Sequence, residues 1–391
     1  MKQIFSMKTN FSLLGGLVVL FSNTVQAQVT CQPYDGSVPR TDTIQLAPMN
    51  ISAGVDMPNG TMLYRGSWFG GTSAGYHITC TTPTVPDSYN FTFNLGIATA
   101  PLPLASWTGS PFGGKTYQSG IPGIGVAIND NGNAVTIDAP FANGGTRTQA
   151  MTGTTNYNRV ISSTRYINLV KIGPIAPGSY TLSAANLPTA KLFYDNAPGS
   201  PNVVGFPIIS NILKFQGTLT VSAQTCATPD VVVPLGSFDA NKTFTGVGTT
   251  TLWVKTNLAL QNCPTFYGYY NNQNVVKMFD YSQGGASTIP ASTSNNVGIR
   301  LVPNTSVVNA ANGIMAIDAS SSSAASGVGI QLGWGDVNPT PFNLSNEQLM
   351  VLPKDGSKNI AIPLSARYIQ TASTVTPGRA DGKVTFTINY Y

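Results

Sequence analysis

Apolar and polar residues alternate with period two through much of the chain. Tyr89, Phe91, Phe93, Leu95 and Ile97 alternate with Asn90, Thr92, Asn94 and Gly96, the spacing that sends one set to each face of a strand. The apolar face predicts a core contact and the polar face a wet one. Val126-Ala127-Ile128 and Ala134-Val135-Thr136-Ile137 flank Asn131-Gly132, a pair suited to the positive φ angles of a type I′ turn, which predicts a hairpin over 124–138. Further strands are expected at 163–172, 180–184, 203–210 and 213–221. The second part predicts strands at 231–235, 249–263, 297–302, 328–332, 358–364 and 383–391, with one short helix at 344–352. In the last strand Val384, Phe386, Ile388 and Tyr390 point one way, and Thr385, Thr387, Asn389 and Tyr391 the other. Such a strand needs a neighbour on each edge or leaves a hydrophobic groove.

Composition supports an all-β protein. Of 391 residues only 9% are charged, with one glutamate, Glu347, and one histidine, His77. Long wet helices need Glu, Lys and Arg, whereas Thr, Val, Ile and Tyr suit strands. With 40 glycines and 27 prolines to supply turns, many short strands argue for sandwiches or barrels.

Residues 1–27 read as a secretory signal: Lys2 and Lys8, then the apolar run 11–21, then Val25-Gln26-Ala27 as a small-residue cleavage site. That run is too short to span a bilayer, and no later stretch is apolar enough, so no membrane span is expected. Without Lys2 and Lys8 the charge falls from +5 to +3. No basic run could track a phosphate backbone, so nucleic acid is not an expected partner. Four cysteines, Cys31, Cys80, Cys226 and Cys263, allow three pairings. Their grouping into an early and a late pair favours Cys31 with Cys80 and Cys226 with Cys263, formed in an oxidising compartment. The short polar segment 222–225 marks the expected boundary between domains 28–222 and 223–391.

Enzymatic signatures fail on context. Gly71-Thr72-Ser73-Ala74-Gly75 matches the nucleophile elbow of serine hydrolases, but the residues that follow read as a strand and His77 comes with no acid between. One histidine and two cysteine pairs make no zinc site. Asn129-Asp130-Asn131-Gly132-Asn133 lacks the spaced carboxylates of a calcium loop. No metal, cofactor or catalytic residue is expected. A secreted carbohydrate-active enzyme is the alternative that seven aspartates in residues 28–222 leave open.

Cys226, the run 249–254 into 258–264, and the ending Gly382-Lys383-Val384-Thr385-Phe386-Thr387-Ile388-Asn389-Tyr390-Tyr391 resemble the pilin domain of type 1 and especially type 3 fimbrial tip adhesins of the chaperone–usher pathway. The signal and the early cysteine pair fit the same family. The resemblance implies two β-sandwich domains. The first would be a lectin-like receptor-binding domain and the second an immunoglobulin-like pilin domain lacking its last strand. It also implies passage through the periplasm to the cell surface and a place at the fimbrial tip. The implied partners are a periplasmic pilus chaperone, an outer-membrane usher, the donor strand of an adjacent pilin, and a host glycan or matrix protein. The donor-strand groove would be bounded by Val384, Phe386, Ile388 and Tyr390. Only Gln28, Val29 and Thr30 would precede Cys31 after cleavage, too few for a donor strand of its own. A structural or adaptor pilin without a receptor is the first alternative.

A glycan site needs an aromatic ring for the sugar's C–H face and polar groups for its hydroxyls. In Gly-rich, loop-like surroundings the candidates are Trp107 first, then Trp68, Phe69 and Tyr117, with Asp138 and Arg147 as polar partners. Trp253 and Tyr390 are expected to pack the core and the groove instead.

Overall fold

The computed structural model describes residues 28–33, 39–70, 76–85, 87–159 and 164–391. The signal segment 1–27 and the Gly71–Gly75 motif lie outside them. The fold is all-β, as expected, and among the described residues the one α-helix is the four-residue Ala240–Thr243. Both expected disulfides are present, Cys31–Cys80 and Cys226–Cys263. Among the described residues no helix is long and apolar enough to cross a membrane.

The first half is built on two main sheets. In one, Asp87–Thr99 runs between Phe141–Met151 and Thr189–Asn196, followed by Ile208–Gln216 and Arg40–Gln45. In the other, Met62–Phe69 and Thr164–Lys171 lie at the centre, with Ile124–Asp130 beyond them. Asn131 (φ 47°) and Gly132 (φ 88°) make the expected tight turn between Ile124–Asp130 and Asn133–Ala134. A single apolar cluster containing Trp68, Phe91, Leu95, Ile167 and Leu192 fills the space between. The second half carries Gln348–Val351, Asn296–Pro303 and Val384–Tyr390 as one sheet, with a six-stranded sheet centred on Val328–Trp334 and Leu364–Gln370. Its apolar residues form two smaller clusters, one around Leu260, Ile299 and Tyr390, the other around Met315 and Ile330.

Several expectations need correction. The second face of Asp87–Thr99 is not wet: Thr92 and Asn94 are buried, and the Asn94 amide donates to the Thr92 hydroxyl at 2.9 Å. The run 231–235 is not a strand, and Val232 is 93% exposed; Pro234, inside the run, removes a donor from any ladder, and Pro229 lies just ahead of it. The strand expected over 249–263 is broken into Val254–Lys255 and Ala259–Leu260, which follow a bent partner either side of Pro363. The runs 203–210 and 213–221 resolve into Ile208–Gln216 and Thr218–Ser222, divided at Gly217 (φ 84°). In place of the helix at 344–352 lies the strand Gln348–Val351, paired with Asn296–Ile299.

One strand crosses the expected boundary. Val276–Asp280 runs parallel to Met62–Phe69, with Val276 opposite Gly66, and Tyr270, Val276 and Met278 belong to the core of the first half. Residues assigned from sequence to the second domain therefore complete a sheet of the first.

Burial holds the hydroxyls of Tyr64, Tyr117, Tyr269, Tyr270 and Tyr390 above the ordinary tyrosine range. The unfolded chain loses those protons near pH 10 while the folded one keeps them. Their contribution to stability is thus full below about pH 10 and declines as pH rises through the folded values. The expected result is a melting temperature that drops steeply above about pH 10, with phenolate absorbance appearing together with unfolding. Phenolate absorbance complete well before unfolding would contradict it.

Candidate functional site

The C-terminal strand Val384–Tyr390 pairs with Asn296–Pro303 on one side and is the edge of its sheet. Tyr391 exchanges both main-chain bonds with Asn296, at 2.8 and 2.9 Å, and Asn304 donates to the Lys383 carbonyl. Alternation then turns the main-chain groups of odd-numbered residues toward the paired strand and those of Val384, Phe386, Ile388 and Tyr390 toward the free edge. The side chains of Val384, Phe386 and Ile388 are half-buried and Tyr390 is buried. An edge that offers both main-chain donors and acceptors and a row of half-covered apolar side chains is a template for one more strand.

The edge is closed at one end. The Asp56 N–H donates to the Tyr390 carbonyl at 3.0 Å, and the Tyr390 N–H donates to Asp56 Oδ2 at 2.7 Å. Gly54 makes this approach possible, because a Cβ there would lie 2.3 Å from the Tyr390 carbonyl oxygen. The Tyr390 hydroxyl accepts from the Cys226 N–H at 3.0 Å, and its ring stacks on Phe266. Tyr390 thus has the packing role expected of it. A cleft of about 290 Å³ at this end is lined by Val55, Asp56, Cys226, Phe386, Ile388 and Tyr390. The free edge therefore runs over Val384, Phe386 and Ile388 and stops where a loop of the first half meets it.

The receptor candidates do not form one cluster. Trp68 and Tyr117 are corrected from surface to interior, at 2% and 3% exposure. Trp68 sits mid-sheet with its indole N–H on Asp42 Oδ2 at 2.9 Å, and the Tyr117 hydroxyl accepts from the Ile137 N–H at 3.1 Å. Phe69 is half-buried at the end of the Trp68 strand. Asp138 is exposed beside the Tyr117 hydroxyl, whereas Arg147 is half-buried and donates to the Asn143 carbonyl at 3.3 Å. Trp107 is half-buried, packs its ring against Gly109, where a Cβ would meet it, and donates from its indole N–H to the Pro111 carbonyl at 2.8 Å. Trp253, expected in the core, is half-buried and outside the core clusters: it lies against Gly333 with the Arg367 guanidinium 4.1 Å from its ring centroid.

Trp107 shapes a loop whose next residues line a larger cleft, of about 640 Å³. The lining includes Met62, Arg65, Phe112, Tyr166, Asn272 and Val275. Gly60 (φ 92°) holds the loop close, since a Cβ there would lie 2.4 Å from the Ser110 carbonyl oxygen. Arg65 and Tyr166 come from adjacent central strands, and the guanidinium lies 3.8 Å from the tyrosine ring centroid. Sequence reasoning missed both, and no local signal marks them. Their meeting depends on strand register.

Among the described residues no three His, Cys, Asp or Glu side chains gather as a metal site would require. Residues 213–391 match the family of fimbrial proteins. Over 97% of its length the chain is 22% identical to a fimbria adhesin protein of Klebsiella pneumoniae, covering 98% of that protein. Among solved structures it is similar to the CupB6 tip adhesin of Pseudomonas aeruginosa, at 15% identity and a TM-score of 0.31, over 93% of this chain and 94% of that one. It is also similar to the receptor-binding domain of the adhesin MrkD1P of Klebsiella pneumoniae, at 17% identity and a TM-score of 0.29, over 51% of this chain and 98% of that one. At such scores the superpositions are loose. The family match begins 13 residues before Cys226, the residue at which the sequence resemblance starts.

Proposed function

We propose that the chain is a fimbrial tip adhesin. Residues 28–222, joined by the segment that leads into Val276–Asp280, carry the receptor contact, and the rest of residues 223–391 forms a pilin domain completed by a donor strand, first from a periplasmic chaperone and then from the adjacent pilin. The observation that carries this is the free edge of Val384–Tyr390, whose outward main-chain groups sit over half-buried Val384, Phe386 and Ile388. An added extended peptide satisfies both at once, with hydrogen bonds supplying affinity and alternate side chains specificity. The full-length similarity to a fimbria adhesin supports the tip role. The protein performs no chemistry, and adhesion arises from many fibres on one cell, each raising the effective concentration of the next.

Co-expression in a bacterial periplasm tests this. The expected result is a one-to-one complex with the chaperone of the same fimbrial system, and none for Phe386→Asp. A chain that accumulates as a soluble monomer at the same yield without the chaperone would count against it.

A further inference from the structure

Arg65 is a half-buried cation, and among the described residues no carboxylate lies within ion-pair distance of it. Burial alone makes that expensive, and it holds the guanidinium below the ordinary arginine range. The side chain is nonetheless held in place. Its Nη1 donates to Asn168 Oδ1 at 3.2 Å, and the Asn168 amide is itself fixed, donating to the Ala127 carbonyl at 3.0 Å and to Asn129 Oδ1 at 2.8 Å. Asn129, opposite Tyr166 in register, is fully buried and has no partner for its Nδ2. A guanidinium pinned on one side, stacked on a ring and left without a counter-charge is prepared for an anion from outside.

The surroundings select the kind of anion. Met62, Phe112 and the Tyr166 ring give apolar walls, and exposed Asn272 gives an amide at the rim. Met62–Phe69 and Thr164–Lys171 are each paired on both sides, so no main-chain edge is available to an extended peptide and recognition falls to side chains. Apolar walls with a few fixed polar groups suit a compact ligand with C–H faces and hydroxyls. From this geometry we infer that the cleft binds an acidic sugar, its carboxylate on the Arg65 guanidinium, in a glycan receptor. The inference rests on the adhesin reading and deepens it. It also requires the whole chain, because Asn272 and Val275 come from the part that matches the fimbrial proteins.

The test uses the full chain in its chaperone complex. Oligosaccharides ending in glucuronic acid or in N-acetylneuraminic acid are compared with the same compounds after the carboxylate is reduced to an alcohol. Binding is expected to weaken at least about tenfold on reduction, and by a similar factor for Arg65→Gln with an unchanged melting temperature. Asn272→Ala, at an exposed site, should weaken binding a few-fold and serves as the second variant if Arg65→Gln misfolds. Binding that ignores both carboxylate reduction and Arg65→Gln would overturn the inference and leave the adhesin reading intact. So would binding confined to matrix proteins. If nothing in the panel binds, the inference falls, and attachment of fimbriated cells to host surfaces then decides the adhesin reading separately.

Discussion

A synthetic peptide with apolar residues at alternate positions, added to the full chain, is expected to raise the melting temperature of the C-terminal half by about 8–16 °C. The figure follows from linkage. A ligand bound only by the folded state contributes about 4 kcal/mol at a thousandfold excess over Kd, and each kcal/mol shifts a domain of this size by roughly 2–4 °C. The peptide should pair with the outward groups of Val384, Phe386 and Ile388 and place its apolar side chains beside theirs. Phe386→Asp should remove the effect, because a carboxylate would then face the apolar groove. Asp56 sets the length of peptide that is useful, since its two bonds to Tyr390 already occupy the next pair of main-chain groups. Asp56→Ala frees the Tyr390 N–H but keeps the main-chain bond to the Tyr390 carbonyl, so a peptide one residue longer, with a carbonyl for that N–H, should gain affinity there, whereas in the native chain the added residue should gain none. A melting temperature indifferent to every peptide would mean that this edge does not accept a strand.

What the sequence reveals here depends on how local the signal is. The strand around 384–390 is legible because it buries one face, that around 89–97 because its apolar residues alternate even though both faces are buried, and Asn131-Gly132 because its backbone angles suit few other pairs. The single glutamate shows the opposite case. Around it 344–352 reads as a helix, yet the Glu347 carboxylate accepts from the Asn389 amide and the Tyr391 hydroxyl, and it lies where a Cβ on Gly298 would be. Those three partners lie 42 to 49 residues away, and they override local propensity. The Arg65 cleft is illegible for the same reason. Its lining comes from segments near 60, 112, 132, 166 and 272, joined only when Val276–Asp280 docks beside Met62–Phe69. Reasoning from the Gly-rich loops singled out Trp107, which does not line the cleft but shapes the loop that carries Pro111 and Phe112 into it. The same cue misled at Trp68, where Gly70 follows a central strand, Met62–Phe69, that holds Trp68 within it.

Trp68→Ala should therefore act on stability and not as the loss of a receptor contact. Removing a buried tryptophan costs about 3–5 kcal/mol, a large share of the roughly 5–15 kcal/mol that stabilises a typical domain. Trp68 also satisfies Asp42, a carboxylate only 4% exposed whose other oxygen takes the Arg40 guanidinium at 2.6 Å. Trp68→Phe keeps most of the packing and loses only the bond to that charge, an expected cost of roughly 1.5–3 kcal/mol. Trp107→Ala is the informative contrast. It gives up one bond between neutral groups, about 1 kcal/mol, but frees the Pro111–Phe112 turn that forms one wall of the cleft. Urea unfolding of the full chain with its groove filled by peptide separates the two, reading each variant's midpoint beside its glycan affinity. If Trp68→Ala kept the native midpoint and lost binding, the indole would have to reach the surface, and the sheet would have to be arranged differently around Arg65.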